Sequence, residues 1–144
     1  AAIGCEQLQK LPMFVECRRR NWDRLRENLS DTADKLILPE PAPNSVPSWF
    51  GFMMTVREGI SREKMVRFIE DKGIQTRMLF SGNLIKHPCF DQLRKSGEGY
   101  RVVGSLENTD RVMRDSFWVG VYPGMTDEMI DYIAQIIRKA AEKV

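Results

Sequence analysis

The chain of 144 residues is long enough for one domain with a substantial core, and 42% hydrophobic and 29% charged residues are typical of globular proteins. The formal net charge of +2 is small, and basic residues are mixed with acidic ones, which argues against binding to nucleic acid or to an anionic membrane. No apolar run approaches the ~20 residues of a membrane span, and no signal peptide is visible.

The three cysteines are an odd number and lie far apart, at Cys5, Cys17 and Cys89. This spacing fits neither a disulfide framework nor a zinc site. We therefore expect reduced thiols, a cytoplasmic protein and no metal bound by this chain.

The chain opens at Ala1–Gly4 without an initiator Met or an N-cap residue and passes directly into a helical pattern that ends near Leu29. A start inside a helix indicates a chain cut from something longer. Pro12 is expected to kink this helix or to begin its second half. The basic run Arg18–Arg20 has acidic neighbours, which predicts a solvated helix face.

Four prolines between Leu38 and Pro47 predict an extended connector. Three apolar segments are then predicted to form strands: Ser48–Arg57, Gln75–Phe80 and Phe117–Tyr122. Helices are predicted to begin at Ser61, near Phe90, at Asn108 or the residue before it, and at Thr126. This order predicts a single α+β domain over residues 1–144, with a three-stranded sheet and helices packed on one of its faces.

The segment that follows the second predicted strand is polar and irregular, and it contains the only histidine, His87. No glycine-rich phosphate loop, carboxylate pair or metal-spaced His/Cys cluster is present anywhere in the chain. A nucleophile–base pair of Cys89 and His87 is conceivable, but no third group is in place to orient the imidazole. Neither a catalytic residue nor a metal ligand is therefore assigned to this chain.

Three segments carry a family resemblance: AAIGCEQLQKL, GIQTRMLFSGNLIKHPCF and SFWVGVYPGMTDEMIDYI. Together they resemble the C-terminal part of the DegT/DnrJ/EryC1/StrS sugar-nucleotide aminotransferase family, over essentially the whole chain. TRMLFSGNL followed by HP, and FWVGVYPG, are most similar to the branch that makes 3,6-dideoxyhexoses, typified by CDP-4-keto-6-deoxy-D-glucose 3-dehydrase.

The resemblance implies the small C-terminal domain of a fold-type-I enzyme that uses pyridoxal or pyridoxamine phosphate, with the large cofactor-binding domain absent from this chain. It implies a homodimer that acts on a nucleotide-linked 4-keto-6-deoxyhexose for lipopolysaccharide O-antigen synthesis, by elimination of the C3 hydroxyl. The cofactor-site Lys or His and the cysteines of a 2Fe–2S cluster would lie upstream of Ala1. A reductase would be a separate partner of the full-length enzyme. These residues alone are expected to bind no cofactor and to be inactive.

The resemblance also places the turn after the second strand at the cleft between the two domains. The substrate-binding residues that it implies are Arg77, Ser81, Gly82, Asn83 and His87. Arg77 would present a bidentate fork to a phosphate or a sugar hydroxyl, and the Ser-Gly-Asn turn would add hydrogen bonds. His87 would shape the turn. The alternative is an Arg77 ion pair on the strand surface beside a plain turn.

Two other functions stay open on the sequence. One is a sugar-nucleotide aminotransferase of the same family, distinguished from a dehydrase by a residue outside this chain. The other is a free-standing interaction module without catalysis, which would use Trp22, Trp49 or Trp118 as contact surface. All three tryptophans are predicted to be core residues.

Overall fold

A computed structural model describes residues 1–144, and therefore the whole chain. In chain order it contains α1 (Ala2–Asn28), β1 (Leu36–Ile37), β2 (Gly51–Val56), α2 (Arg62–Glu70), β3 (Thr76–Met78), α3 (Asp91–Ser96), α4 (Glu107–Asp115), β4 (Ser116–Gly120) and α5 (Asp127–Lys143). Short 3-10 turns lie at Ser30–Thr32, Leu84–Lys86 and Pro88–Phe90. None of the helices combines the length and the apolarity that crossing a bilayer requires.

The strands form one antiparallel sheet in the order β1-β2-β4-β3. Its centre is the pair β2–β4, in which Phe52 lies opposite Val119. β3 is one edge, and β1 is the other, where Leu36 lies opposite Val56. The prediction of three strands is therefore wrong by one. A two-residue strand directly before a proline-rich segment is too short to show the alternation by which a strand is recognised.

One face of the sheet carries the core, because alternation along β2 directs Phe52, Met54 and Val56 to the same side, where each is buried. Helices α1, α2 and α5 cover this face with buried apolar side chains. Those at 0% exposure are Leu25, Met65, Ile69, Ile130, Ile137 and Ala140, together with Leu29 at the C-cap of α1. The predicted packing of helices on one face is confirmed. The opposite face presents Met53 and Trp118 and stays partly open.

Two of the three tryptophans belong to the core region, as predicted. Trp22 is buried, with ring centroids 4.6 Å from Trp49 and 5.3 Å from Phe52. Trp49 is half-buried and packs against the same cluster. The prediction is wrong for Trp118, which lies on the open face of the sheet because it alternates with the buried Phe117.

Helix α1 is continuous, with Pro12 inside it, so the proline does not begin a second helix. Its missing N–H removes the single bond to the Leu8 carbonyl. The apolar stripe of α1 runs past the end of the sheet. Trp22 and Leu25 are buried, whereas Leu11 and Leu8, which the helical period places on the same side, are 48% and 66% exposed. The first half of α1 therefore has no partner within this chain.

The connector between β1 and β2 is held against α1 by arginine side chains. Arg19 Nη2 donates to the Val46 carbonyl at 2.6 Å, and Arg18 Nη1 donates to the Ser48 carbonyl at 3.5 Å. The predicted solvated face is therefore wrong for these two arginines. Only Arg20 of the basic run is exposed. A proline-rich segment leaves carbonyl oxygens without ladder partners, and guanidinium donors satisfy them here.

Helix starts are partly as predicted. Ser61 Oγ and Thr126 Oγ1 each accept a hydrogen bond from the backbone N–H three residues on, at 3.3 Å, which caps α2 and α5. For α4 the prediction is wrong, since its N-cap position is held by Leu106 at φ 55° and by neither Asn108 nor Glu107. Leu106 has no side-chain oxygen for a cap, so the usual sequence signal is absent.

Asp131 joins the two long helices of the core. Arg24 on α1 donates two hydrogen bonds to this α5 carboxylate, at 3.0 and 2.8 Å, and Asn28 donates a third at 2.7 Å. The bonds from Arg24 and then Asn28 hold the pKa of Asp131 below its ordinary value. The stabilisation of the fold by the Asp131 carboxylate is therefore fully present above the pKa of this group in the unfolded chain, about 4. It is lost as pH falls through the lower pKa that Asp131 has in the folded chain.

Asp131→Asn is expected to weaken the loss of stability in acid. The free energy of unfolding of the 144-residue chain, measured by urea titration from pH 7 down to about pH 2, should fall less steeply in this variant than in the wild type. Asp34→Asn is the matched control, because the Asp34 carboxylate is exposed and pairs with no basic side chain. If the free energy of unfolding falls equally steeply with pH in Asp131→Asn and in the wild type, the bridge between Arg24 and Asp131 does not contribute to the pH dependence of stability.

Candidate functional site

The chain leaves β3 through a tight turn that needs two residues in the left-handed region. Phe80 has φ 41° and Gly82 has φ 57°. A Cβ atom at Gly82 would lie 2.7 Å from Met113 Cγ, so only glycine fits there. Phe80 carries the strain of a positive φ with a large side chain, and that side chain is 77% exposed. The turn thus projects an aromatic ring outward beside the open face.

His87 closes the turn on itself. Its Nε2 lies 2.5 Å from the Ser81 carbonyl oxygen, so this ring nitrogen is the donor. Arg94 on α3 donates to the carbonyls of Ile85 and His87. The imidazole therefore shapes the turn. No hydrogen bond joins it to Cys89, whose thiol is exposed.

Asn83 anchors the turn from inside. Its side chain is buried and donates through Nδ2 to Asp110 Oδ1 at 2.8 Å, while Lys86 Nζ lies 2.7 Å from Asp110 Oδ2. The hydrogen bonds from Lys86 and then Asn83 hold the pKa of Asp110 below its ordinary value. The Asn83 amide is thus directed into the protein. The Ser81 hydroxyl, in contrast, is exposed and makes no hydrogen bond within the chain.

Arg77 lies on the open face of the sheet, opposite Trp118 in the β3–β4 register. Its side chain is exposed, and its Nη1 donates to the neighbouring Thr76 carbonyl at 2.8 Å. No carboxylate pairs with it, so the alternative of a surface ion pair is not what the structure contains. A guanidinium carries five N–H donors, and most of those of Arg77 remain free for a ligand.

Trp118 separates two grooves. Its Nε1 donates to the Met78 carbonyl at 3.2 Å, and its ring meets Phe50 edge to face at a centroid distance of 5.4 Å. A groove of about 540 Å³ on one side includes Arg77, and an apolar groove of about 290 Å³ on the other includes Phe80. Trp118 thus lines both grooves, with Arg77 in the larger one and Phe80 in the smaller one.

Sequence reasoning missed Phe80 and Trp118 as parts of this region. For Trp118 the signal was present, because strict alternation in FWVGV puts it opposite the buried Phe117 and Val119. For Phe80 no signal was available, since a positive φ at a large residue is not predicted by any residue preference.

The residues of these grooves do not form a complete pyridoxal phosphate site. Neither groove is lined by a lysine or a histidine, so neither offers an amine for a Schiff base with the cofactor aldehyde. No group of three or more His, Cys, Asp or Glu side chains is placed to hold a metal ion. What the region offers is one free guanidinium, a hydroxyl and aromatic surface, which are groups that bind and orient a ligand.

Comparison with known proteins matches residues 1–138 to the model of the DegT/DnrJ/EryC1/StrS aminotransferase family. The chain belongs to this family. Within the family it is 47% identical over 145 aligned positions, covering 99% of the chain, to the dTDP-4-dehydro-2,6-dideoxy-D-glucose 3-dehydratase of Saccharopolyspora spinosa. It is 45% identical, over 92% of the chain, to the lipopolysaccharide biosynthesis protein RfbH of Salmonella typhimurium. The chain spans 30% of the length of each of these relatives.

Solved structures of the DegT/DnrJ/EryC1/StrS group show the same fold. One is GDP-4-keto-6-deoxy-D-mannose 3-dehydratase of Escherichia coli with bound hydrated pyridoxal phosphate, at a TM-score of 0.81 and 28% identity. The match covers 94% of the chain and 34% of that structure. The predicted fold class, an α+β domain of the kind found in pyridoxal-phosphate enzymes, is therefore confirmed. Relatives of this chain include sugar-nucleotide dehydratases and an aminotransferase.

Proposed function

We propose that this chain is the C-terminal domain of a sugar-nucleotide 3-dehydratase that depends on pyridoxal or pyridoxamine phosphate. The observation that carries the proposal is the 47% identity, over nearly the whole chain, to a protein named a 3-dehydratase. The substrate class is a nucleotide-linked 4-keto-6-deoxyhexose, with CDP as the proposed nucleotide. The RfbH relative supports a place in lipopolysaccharide synthesis, in which the product serves O-antigen assembly.

The proposed enzyme is a cytoplasmic homodimer whose cofactor is held outside these residues. The same proposal includes a 2Fe–2S cluster, held by residues that this chain does not contain. It also includes a reductase as a partner protein. When bound, the cofactor supplies the electron sink for removal of the C3 oxygen. The part left to this chain is binding and orientation of the nucleotide sugar.

That part follows from the groups that the open face leaves free. Arg77 would bind the diphosphate, because a guanidinium meets phosphate oxygens with two parallel hydrogen bonds. The Ser81 hydroxyl and the turn at Gly82 would contact the sugar. Asn83 and His87 would act through the shape of that turn, since both are bonded within it.

The test uses the protein translated from the native reading frame, including all coding sequence upstream of Ala1. It is incubated with pyridoxamine phosphate, a reductant and CDP-, dTDP- or GDP-linked 4-keto-6-deoxyhexose, and products are identified by mass spectrometry. Loss of the C3 hydroxyl from one of these substrates is the expected result. Transfer of nitrogen from glutamate would identify an aminotransferase instead. A reading frame that begins at Ala1, with no reaction of any substrate, would overturn the proposal and favour an interaction module.

A further inference from the structure

Helix α4 faces the turn with two side chains one helical turn apart, Asp110 and Met113. Asp110 is the point where the turn is tied to the rest of the fold. Its two carboxylate oxygens accept from different parts of the turn, Oδ1 from the Asn83 amide at 2.8 Å and Oδ2 from Lys86 Nζ at 2.7 Å. Both ends of the segment from Asn83 to Lys86 are therefore fixed to one residue of α4.

Met113 fits the same segment sterically. Its Sδ accepts from the Asn83 backbone N–H at 3.3 Å. Its Cγ and Cβ occupy the space that a side chain at Gly82 would fill, at 2.7 and 2.9 Å from an ideal Cβ position. The absence of a side chain at Gly82 is thus matched to the presence of Met113. Met113 limits movement of the turn toward α4, and the bonds to Asp110 oppose movement away from it.

Helix α4 is itself fixed to the body of the domain. Arg62, at the start of α2, donates through Nη1 to the Met113 carbonyl at 2.8 Å and to the Ser116 carbonyl at 3.4 Å. Ser116 begins the central strand β4. A chain of direct contacts therefore runs from the core through α4 to the turn. Without Asp110, the turn keeps its backbone bonds, the bond from the Asn83 N–H to Met113 Sδ, the bond between His87 and Ser81 and the bonds from Arg94. It loses both bonds by which its own side chains are tied to α4.

We propose that Asp110 is a positioning residue for nucleotide-sugar binding: it holds the Asn83–Lys86 segment and thereby fixes Phe80 and Ser81, which precede that segment in the turn after the strand of Arg77. The identity of the ligand rests on the proposed function, whereas the positioning of the turn does not. Asp110 acts through Asn83 and Lys86 and touches no ligand itself. Its removal should loosen the turn without unfolding the domain, because the side chain lies outside the core cluster.

The positioning is tested on the 144-residue chain by amide hydrogen exchange, followed by NMR. In Asp110→Ala, exchange at the backbone N–H groups of Asn83 and Lys86 should rise at least about tenfold, with exchange in β2 and β4 unchanged. Asp110→Asn keeps an acceptor for the Asn83 amide, so its exchange rates should lie between those of the wild type and those of Asp110→Ala. Glu107→Gln is the matched control, because Glu107 is exposed on the same helix and bonds to nothing. Wild-type exchange at Asn83 in Asp110→Ala would overturn the proposal.

The consequence for binding is tested in the complete enzyme. Asp110→Ala should raise KM for the nucleotide sugar about tenfold, with the cofactor absorbance unchanged and kcat changed less than KM. Asp110→Asn should restore most of the affinity, and Glu107→Gln should behave as wild type. Faster exchange with an unchanged KM would overturn the role in binding. A complete protein that converts no sugar nucleotide would refute the proposed function, and the exchange result would then decide the positioning alone.

Discussion

Phe52→Ala is expected to lower the free energy of unfolding by about 3–5 kcal/mol. Phe52 is fully buried at the centre of β2, opposite Val119, and its ring lies 5.3 Å from that of Trp22. Removal of the ring would leave a cavity between the sheet and α1. Neither side can close it, because both are fixed by strand pairing and by the bonds of α1 to α5. Urea unfolding of the chain, followed by circular dichroism, measures the loss.

Phe50→Ala is the matched control for this experiment. It makes the same chemical change two residues earlier, at a side chain that is 57% exposed on the open face. Its edge contact with Trp118 is the main interaction lost, so a decrease of at most about 1 kcal/mol is expected. Equal losses for the two variants would mean that the core does not lie between the sheet and the helices.

Arg77→Ala is expected to raise KM for the nucleotide sugar by roughly 10- to 100-fold in the complete enzyme. Charge-assisted hydrogen bonds are worth about 1.5–3 kcal/mol, and each ~1.4 kcal/mol is a factor of ten. The phosphate that Arg77 would bind does not react, so KM should change more than kcat. Arg77→Lys keeps the charge but loses the planar guanidinium, and its KM should fall between that of the wild type and that of Arg77→Ala. Steady-state kinetics at saturating cofactor measure both constants.

Arg101→Ala controls for the loss of one positive charge. Arg101 is exposed in the loop before α4 and makes no hydrogen bond or ion pair. Its removal should leave both constants within about twofold of the wild type, because isolated surface charges contribute little. An unchanged KM and kcat in Arg77→Ala would remove the binding role from Arg77.

The fold could be predicted from the sequence where the pattern was long. The apolar run Ser48–Arg57 and the apolar stripe of the last helix identified β2 and α5, and the hydroxyls of Ser61 and Thr126 located two helix starts. β1 could not be predicted, because Leu36 and Ile37 form a strand only through pairing with β2. The N-cap position at Leu106 could not be predicted either, since leucine has neither an oxygen for a cap nor a preference for a positive φ.

The candidate site shows the same division between local and distant information. The glycine of Ser81-Gly82-Asn83 marked a turn, and the structure places one there with a positive φ. The two partners that orient the turn, Asp110 and Met113, lie 27 and 30 residues further along the chain. No local pattern connects them to it. The role of Arg77 in binding stays a prediction, although its guanidinium is free of carboxylates.

The unbroken course of α1 has a mechanical consequence. At 1.5 Å per residue, the helix extends about 30 Å from Trp22 to Ala2. A tilt of about 10° at the core end would therefore displace the first turn by roughly 5 Å, because a helix transmits rotation along its axis. Pro12 lies midway along this stretch, where one backbone hydrogen bond is missing, but the helix continues through it. A group attached to the first turn of α1 would thus move much farther than the residues at the core end when the helix tilts there.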